Sequence, residues 1–363
     1  MTLDSLHILN YKNITQTDLV LDSKVNCFIG LNGMGKTNLL DTIYYLSFCK
    51  SHTNVIDSEN IRHGSDFFLL QGCYTRLGQQ ENIVCSIKRR QKKHFSRNKR
   101  EYQKLSDHIG FIPLVLISPA DTELIHGGSE FRRKFADGII SQVDKEYLDH
   151  LLKYGNALRQ RNAMLKMDSL PSEALFDTWE EQMVVHAIYI HRRREEFIKE
   201  FTPYFSEYYS LISGGGESVS LSYESQLAER DLAQMLSSTR ERDHMIGYTT
   251  HGVHKDDLMM NLGDYPIRRV GSQGQCKSYV IALKFAQYQY LRRALSINPI
   301  ILLDDLFDKL DAHRMGQILS IVCTPDFGQI FITDTDRSHL DTMLDTMGLH
   351  AKVFNISNGD VVC

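Results

Sequence analysis

Val25-Asn26-Cys27-Phe28-Ile29-Gly30-Leu31-Asn32-Gly33-Met34-Gly35-Lys36-Thr37-Asn38-Leu39-Leu40 decides the reading of this chain. Its middle, Gly30 to Thr37, fits GxxxxGK[ST], and both flanks suit that pattern. Val25 to Ile29 reads as a short buried strand, and Asn38 to Leu46 as an amphipathic helix. A strand, a glycine loop and a helix N-terminus make an anion cradle, because backbone N–H groups and the positive end of the helix dipole face one point. In this reading Gly30, Leu31, Asn32, Gly33, Met34, Gly35, Lys36 and Thr37 surround a nucleoside triphosphate. Lys36 would reach the β- and γ-phosphates as a catalytic group, and the Thr37 hydroxyl would bind Mg²⁺.

The bulk composition narrows the class around that loop. At 363 residues the chain has room for two domains. Hydrophobic content of 42% and charged content of 24% are those of a globular chain, and no apolar run is long enough to span a membrane. No basic segment precedes an apolar one near Met1, so no signal peptide is expected. The seven cysteines are scattered singly, with no CxxC pair. That speaks against a disulfide framework or zinc ribbon and for a reducing compartment, so a cytoplasmic location is expected.

Outward from the loop, three stretches separate by pattern. Residues 1 to about 120 are strand-rich and end on Phe111 to Ile117, a buried-strand candidate. From Asp121 to Leu211 the pattern is helical, with one helix through Tyr147, Leu151 and Leu158 and a second from about Ser172 to Phe201, ending near Pro203. Ser213-Gly214-Gly215-Gly216 breaks it, Val219 to Tyr223 alternates as a strand, and α/β patterning returns from about Gly247. The expected organisation is one split nucleotide-binding domain, 1–120 with 247–363, interrupted by a mainly helical insert over 121–246.

Two later motifs complete a hydrolytic site. Pro299-Ile300-Ile301-Leu302-Leu303-Asp304-Asp305 is an apolar strand ending in two acids. Asp304 would hold Mg²⁺, directly or through water, and Asp305 would orient or polarise the attacking water as the second catalytic residue. Ahead of it, Ser272-Gln273-Gly274-Gln275 opens a helix through Val280, Leu283 and Tyr290. A hydroxyl and exposed N–H groups at a helix start form a second anion site. Its position before the acidic strand resembles the signature of ABC-type ATPases, which closes over the γ-phosphate held by another subunit. Leu310-Asp311 resembles the D-loop of the same class.

Nearly the whole chain resembles the RecF family. Leu9-Asn10-Tyr11-Lys12-Asn13 is similar to that family's opening strand and turn, and Ile117-Ser118-Pro119-Ala120-Asp121 to its central SPxD-like segment. Arg132-Arg133-Lys134-Phe135 and Leu158-Arg159-Gln160-Arg161-Asn162 match its helical region, and Gly252-Val253-His254-Lys255-Asp256-Asp257-Leu258 its GPHRDDL motif. The resemblance implies an α/β fold: a split ABC-type ATPase head with an antiparallel β subdomain, plus an inserted helical domain. It also implies a slow, DNA-stimulated ATPase that uses ATP and Mg²⁺ and acts as a switch. The implied partners are duplex, gapped or single-stranded-junction DNA, a second copy of the chain joined through ATP, and RecR, in replication, gap repair and the SOS response. The alternative is an ATPase subunit of a DNA-processing nuclease system; a transporter ATPase would need a membrane partner.

Net charge is −4, yet Lys88, Arg89, Arg90, Lys92, Lys93, Arg97, Lys99 and Arg100 crowd one stretch. Asn82 to Ile87 alternates before them, so the run reads as the tip of a β-hairpin, either a DNA-phosphate contact or a solvated tip. Departures from the family pattern are equally visible. Val253 and Lys255 replace the expected Pro and Arg. Ile330-Phe331-Ile332-Thr333-Asp334-Thr335 lacks a γ-phosphate-sensing His, for which Thr333 or Thr335 is the candidate substitute. His251, His254, Asp256 and Asp257 read as hydrogen-bonding groups around a turn in preference to a metal cluster.

Overall fold

In the computed structural model, residues 1–54, 56–305, 312–322, 324, 327–335, 337, 344 and 350–362 are described. The chain forms two units, Met1–Asp121 with Lys284–Cys363, and Thr122–Leu283. Among the described residues no helix is long and apolar enough to cross a membrane.

The first unit is built on two six-stranded sheets. Strand β3 (Val25–Ile29) is buried at all five positions, which explains a run without polar alternation. It lies inside the sheet β15–β14–β3–β13–β12–β8, made of β8 (Leu114–Ile117), β12 (Ile300–Leu303), β13 (Ile330–Asp334), β14 (Lys352–Ser357) and β15 (Asp360–Val362). All neighbours in it run parallel except β15. The second sheet is antiparallel, in the order β2–β1–β4–β5–β6–β7. Its strands are β1 (Thr2–Tyr11), β2 (Ile14–Val20), β4 (Phe67–Arg76), β5 (Gln79–Lys88), β6 (His94–Arg97) and β7 (Arg100–Glu101).

Helix α1 (Lys36–Phe48) touches both sheets and buries Leu39, Leu40, Ile43 and Leu46. These pack in one core with Phe28, Phe331 and Phe354 of the parallel sheet and Leu6, Phe68 and Ile83 of the antiparallel one. Burying each such side chain is worth about 1.5–3 kcal/mol, so the helix that follows the glycine loop is pinned from both faces. Helix α10 (Ala312–Val322) precedes β13.

The second unit holds α2 (Glu123–His126), α3 (Ser129–Val143), α4 (Lys145–Met164), α5 (Glu173–Ser213), α6 (Leu232–Ser238), α7 (Arg240–Ile246) and α8 (Ile267–Val270). It also has a three-stranded antiparallel sheet, β11–β10–β9, from β9 (Val219–Glu224), β10 (Asp257–Leu262) and β11 (Tyr265–Pro266). Helix α9 (Gln273–Leu295) crosses the division between the units.

Three expectations need correction here. Helix α5 does not stop near Pro203 but runs 41 residues to a left-handed Gly214. Proline removes one donor, but Phe201, Phe205, Tyr209 and Ile212 keep the same face buried across it, and packing outweighs the lost bond. The second segment of the nucleotide-binding unit begins at Lys284, not at 247. The intervening stretch also adds a sheet to what was expected to be a mainly helical insert.

The reason for the shifted boundary is a set of buried arginines. Arg132 of α3 forks onto Asp257 (2.6 and 2.8 Å), and Arg194 of α5 reaches Asp137, Asp256 (2.8 Å) and the Val253 carbonyl (2.8 Å). Residues 253–257 are therefore tied to the helices and fold with them. Arg161 of α4, fully buried, donates to Glu180 (2.9 Å), Asp243 (2.7 Å), Thr249 (2.8 Å) and the Leu236 carbonyl (3.1 Å). Planar guanidinium groups suit such multi-acceptor sites. The sequence segments around Arg132, Arg161 and Asp256-Asp257 are thus the internal frame of the second unit.

Two predictions follow from these buried polar groups. Arg161→Ala leaves the Asp243 carboxylate buried without its cationic partner, while Glu180 keeps Arg240, and should destabilise the chain by about 3–5 kcal/mol in urea unfolding; a loss below about 1 kcal/mol would remove the arginine from this role. The second concerns one neutral histidine in each unit. His108 meets the Leu46 carbonyl (2.7 Å) and the Tyr102 hydroxyl (3.1 Å), and His254 meets the Thr249 carbonyl (3.1 Å) and the Tyr154 hydroxyl (2.7 Å). Burial pushes each imidazole down to about 4. The unfolded chain protonates them near 6.5, so it binds more protons between those values, and stability rises with pH there and falls on acidification. Each site should cost about 2 kcal/mol between about pH 7 and about pH 5. His108→Phe should flatten the slope of urea midpoint against pH, and an unchanged slope would exclude His108.

Candidate nucleotide-binding site

The glycine loop joins β3 to α1, and its backbone explains its sequence. Gly33 (φ +79°) and Gly35 (φ +108°) lie in the left-handed region, where a side chain is strained. A Cβ at Gly35 would also stand 2.7 Å from the Asn13 side chain. Helix α1 begins at Lys36 with Gly35 as its N-cap, without a side-chain cap and without an acidic residue in its first turn. Its first N–H groups are therefore left to an outside acceptor, as an anion cradle requires. Lys36 Nζ sits inside the loop, donating to the carbonyls of Gly30 (2.8 Å) and Leu31 (3.2 Å).

Supports from two sides hold the loop, and sequence reading did not find them. Asn13, on the β1–β2 turn, donates to the Met34 carbonyl (3.3 Å) and accepts from Asn38 (2.8 Å). Gly359, on the β14–β15 turn, donates to the same Met34 carbonyl (2.8 Å). Both contacts join residues distant in sequence, so only the turn residues Asn13 and Asn358-Gly359 hinted at them.

Thr37 and Asp304 meet directly. The Thr37 hydroxyl is 3.0 Å from both carboxylate oxygens of Asp304, which ends β12. Asp304 is 6% exposed, and burial raises its pKa, opposed by hydrogen bonds from Thr333 and Thr37. Asp305 follows in the left-handed region at φ +44°, an unusual place for a non-glycine residue and one often found at functional sites. Thr333 of β13 donates to Asp304 (2.8 Å) and accepts from the Asp305 N–H (2.9 Å). Its proton is thus directed at the carboxylate, while Thr335 is exposed beyond the strand. A buried carboxylate faced by a hydroxyl from the phosphate-loop helix is a suitable hard-oxygen set for Mg²⁺.

In the second unit, Ser272 caps α9 through a reciprocal box. Ser272 Oγ accepts from the Gln275 N–H (3.2 Å), and Gln275 Oε1 accepts from the Ser272 N–H (2.8 Å). Gln275 also donates to Glu217 (2.9 Å). Ser272 and Gln273 are exposed, with Gly274 half-buried. The cap uses the Ser272 oxygen as acceptor and does not need its hydroxyl proton. Leu310 and Asp311 lie outside the described residues.

The basic stretch is not one hairpin tip. Lys88 to Lys92 turn from β5 into β6, while Lys99 and Arg100 lie at the opposite end of β6, where Asn98 (φ +50°) and Lys99 (φ +66°) make the tight turn into β7. Two of the eight side chains are committed elsewhere. Arg97 forks onto Glu81 (2.8 and 2.5 Å) and lies 3.9 Å over the Phe111 ring. Lys93 pairs with Asp57 (2.7 Å) and the Cys49 carbonyl (2.7 Å). Lys88, Arg89, Arg90, Lys92, Lys99 and Arg100 are exposed, with Arg89 donating to the Ser65 carbonyl (3.2 Å).

With this geometry in place, comparison with known proteins is informative. A family model described as the RecF/RecN/SMC N terminal domain matches residues 2–358. The DNA replication and repair protein RecF of Phocaeicola vulgatus is 55% identical over 363 residues, covering 99% of this chain and 98% of that protein. The protein of the same description from Porphyromonas gingivalis is 46% identical over 363 residues, covering 99% and 100%. A solved structure described as the recombination mediator protein RecF-ATP in the RecFOR pathway matches with a TM-score of 0.89 at 26% identity, covering 99% of this chain and 97% of that one. The Smc head domain from Pyrococcus furiosus shares the fold, with a TM-score of 0.58 at 15% identity. An ABC-type ATPase head with the Thr37–Asp304 pair at its phosphate loop, and full-length similarity at this level, place the chain in the RecF family of DNA replication and repair proteins.

Proposed function

We propose that this chain is an ATP-driven switch that clamps DNA and supports recombinational repair, in keeping with its similarity to RecF proteins that act in replication, repair and recombination mediation. The observation that carries the reading is the meeting of Lys36, Thr37 and Asp304 at one point beside Asp305. Lys36 is placed to trade its two loop carbonyls for phosphate oxygens, and the α1 N-terminus adds N–H donors. Thr37 and Asp304 would hold Mg²⁺, which neutralises phosphate charge when bound. Asp305, one residue past β12, would orient the attacking water and accept its proton.

The proposed switch calls for a further group over the outer face of the γ-phosphate. The exposed Ser272-Gln273-Gly274 cap of α9 offers a hydroxyl proton and a helix N-terminus of the right chemistry. In the proposed switch that cap comes from a second copy, so ATP joins two chains and hydrolysis, slow and DNA-stimulated, releases them. The coupling requires only that the joined pair binds nucleotide more tightly than separate copies do. The six exposed basic residues around β6 supply phosphate contacts to duplex or gapped DNA, and RecR is the expected protein partner in loading recombinase.

Two measurements check this. Ser272→Arg should leave nucleotide affinity of the single chain intact while abolishing ATP-dependent dimerisation in analytical ultracentrifugation; a variant that still dimerises would rule out the two-copy site. Replacing Arg89, Arg90 and Lys92 by Glu should weaken DNA binding and reduce the slope of log affinity against log salt by about one unit per lost phosphate contact. An unchanged slope would leave that turn as a solvated tip.

A further inference from the structure

We propose that Thr333 is a positioning residue of the hydrolytic centre, a bracket whose single hydroxyl fixes Asp304 and Asp305 relative to each other. The inference rests on the reading of Asp304 and Asp305 given above. A threonine hydroxyl has one proton and two lone pairs. Here the proton goes to Asp304 Oδ1 (2.8 Å) and one lone pair takes the Asp305 N–H (2.9 Å). With its donor spent on Asp304, Thr333 is not left to donate to a γ-phosphate, the role for which its place in the sequence made it a candidate.

Its position makes the bracket stiff. Strand β13 lies between β3 and β12, with Thr333 opposite Phe28 and Ile332 opposite Leu303. Thr333 is 1% exposed, and the β-branched side chain has little rotamer freedom in a strand. The hydroxyl thus transmits the rigid register of three parallel strands to two consecutive acids. Asp305 needs this most, because its backbone sits at φ +44° and a residue there persists only when its surroundings over-determine it. The Asp305 N–H bond to Thr333 is one such constraint, and it fixes the backbone from which the carboxylate projects.

The Asp304 oxygens are likewise shared. Thr37 approaches both, and Thr333 adds a second hydroxyl on Oδ1. Thr333 therefore holds the carboxylate plane from the strand side while Thr37 holds it from the helix side. Removing Thr333 leaves binding groups on the phosphate loop untouched but loosens the acid that acts on water. A bracket of this kind should affect turnover more than nucleotide affinity.

The test compares Thr333→Val, which keeps shape but loses both hydrogen bonds, with Thr333→Ser, which keeps the hydroxyl. Thr333→Val is expected to lower kcat on the order of tenfold or more, the effect of one charge-assisted hydrogen bond, while equilibrium binding of a fluorescent ATP analogue changes by less than about threefold. Thr333→Ser should retain most of the rate. In the nucleotide-free protein, hydrogen–deuterium exchange at the Asp305 amide should accelerate in Thr333→Val and not in Thr333→Ser. Unchanged turnover and exchange in Thr333→Val would overturn the proposal, as would a Thr333→Ser loss equal to that of Thr333→Val, which would indicate packing alone. Asp305→Asn separates this from the reading beneath it: if that variant hydrolyses ATP at the parent rate, the assignment of Asp305 fails first.

Discussion

Asp304, a carboxylate buried at the end of the parallel strand β12, must be satisfied by partners drawn from elsewhere in the first unit. Asp304 has almost no access to water, and an unpartnered charge in such a place costs several kcal/mol. Its partners come from two other parts of the chain: Thr37 from the loop and helix after β3, and Thr333 from β13. The strand order β3–β13–β12 brings both within hydrogen-bonding distance. In the proposed function the same arrangement that satisfies the charge would also supply, beside the phosphate loop, an Mg²⁺ ligand pair and an acid for water activation. Fold stability and chemistry here depend on one set of contacts.

The second unit solves a comparable problem with the opposite charge. Long helices α3, α4 and α5 each bury an arginine, and each arginine is satisfied by acids that lie far along the chain. Asp256 and Asp257 resemble a ligand pair in the sequence, yet in the structure they are the counter-charges of Arg194 and Arg132. His254 uses both ring nitrogens on Thr249 and Tyr154. Segments that identify the family so specifically therefore act as internal joints, where the geometry of a guanidinium fork leaves little tolerance for replacement.

The parts legible from sequence were those with local causes. Gly33 and Gly35 are required by positive φ angles, the mostly apolar β3 and the all-apolar β12 by burial on both faces, and Ser272 with Gln275 by a capping box four residues long. What could not be read depended on distant partners. Pro203 signalled a helix end because its own propensity is local, whereas the packing that carries α5 past it is not. The boundary near 247 failed for the same reason: nothing in that stretch shows that Asp256 and Asp257 answer arginines more than 60 residues upstream. The eight basic residues read as one patch until the tight turn at Asn98 and Lys99 divided them, with Glu81 and Asp57 claiming two. Thr333 was visible as a candidate, but its partners could be identified only once β12 and β13 were known to be neighbours.

The proposed composite site makes two defects complementary, and mixing them is its most direct test. A Lys36→Ala copy lacks the phosphate lysine but keeps its Ser272 cap, while a Ser272→Arg copy has the reverse. Each alone should show no ATP-dependent dimer and no DNA-stimulated hydrolysis. Mixed in equal amounts with ATP and DNA, they should form a mixed pair with one intact site and recover part of the parent hydrolysis rate. Two folded variants that remain inactive at every mixing ratio, with no mixed dimer in sedimentation, would contradict a site shared between two copies of the chain.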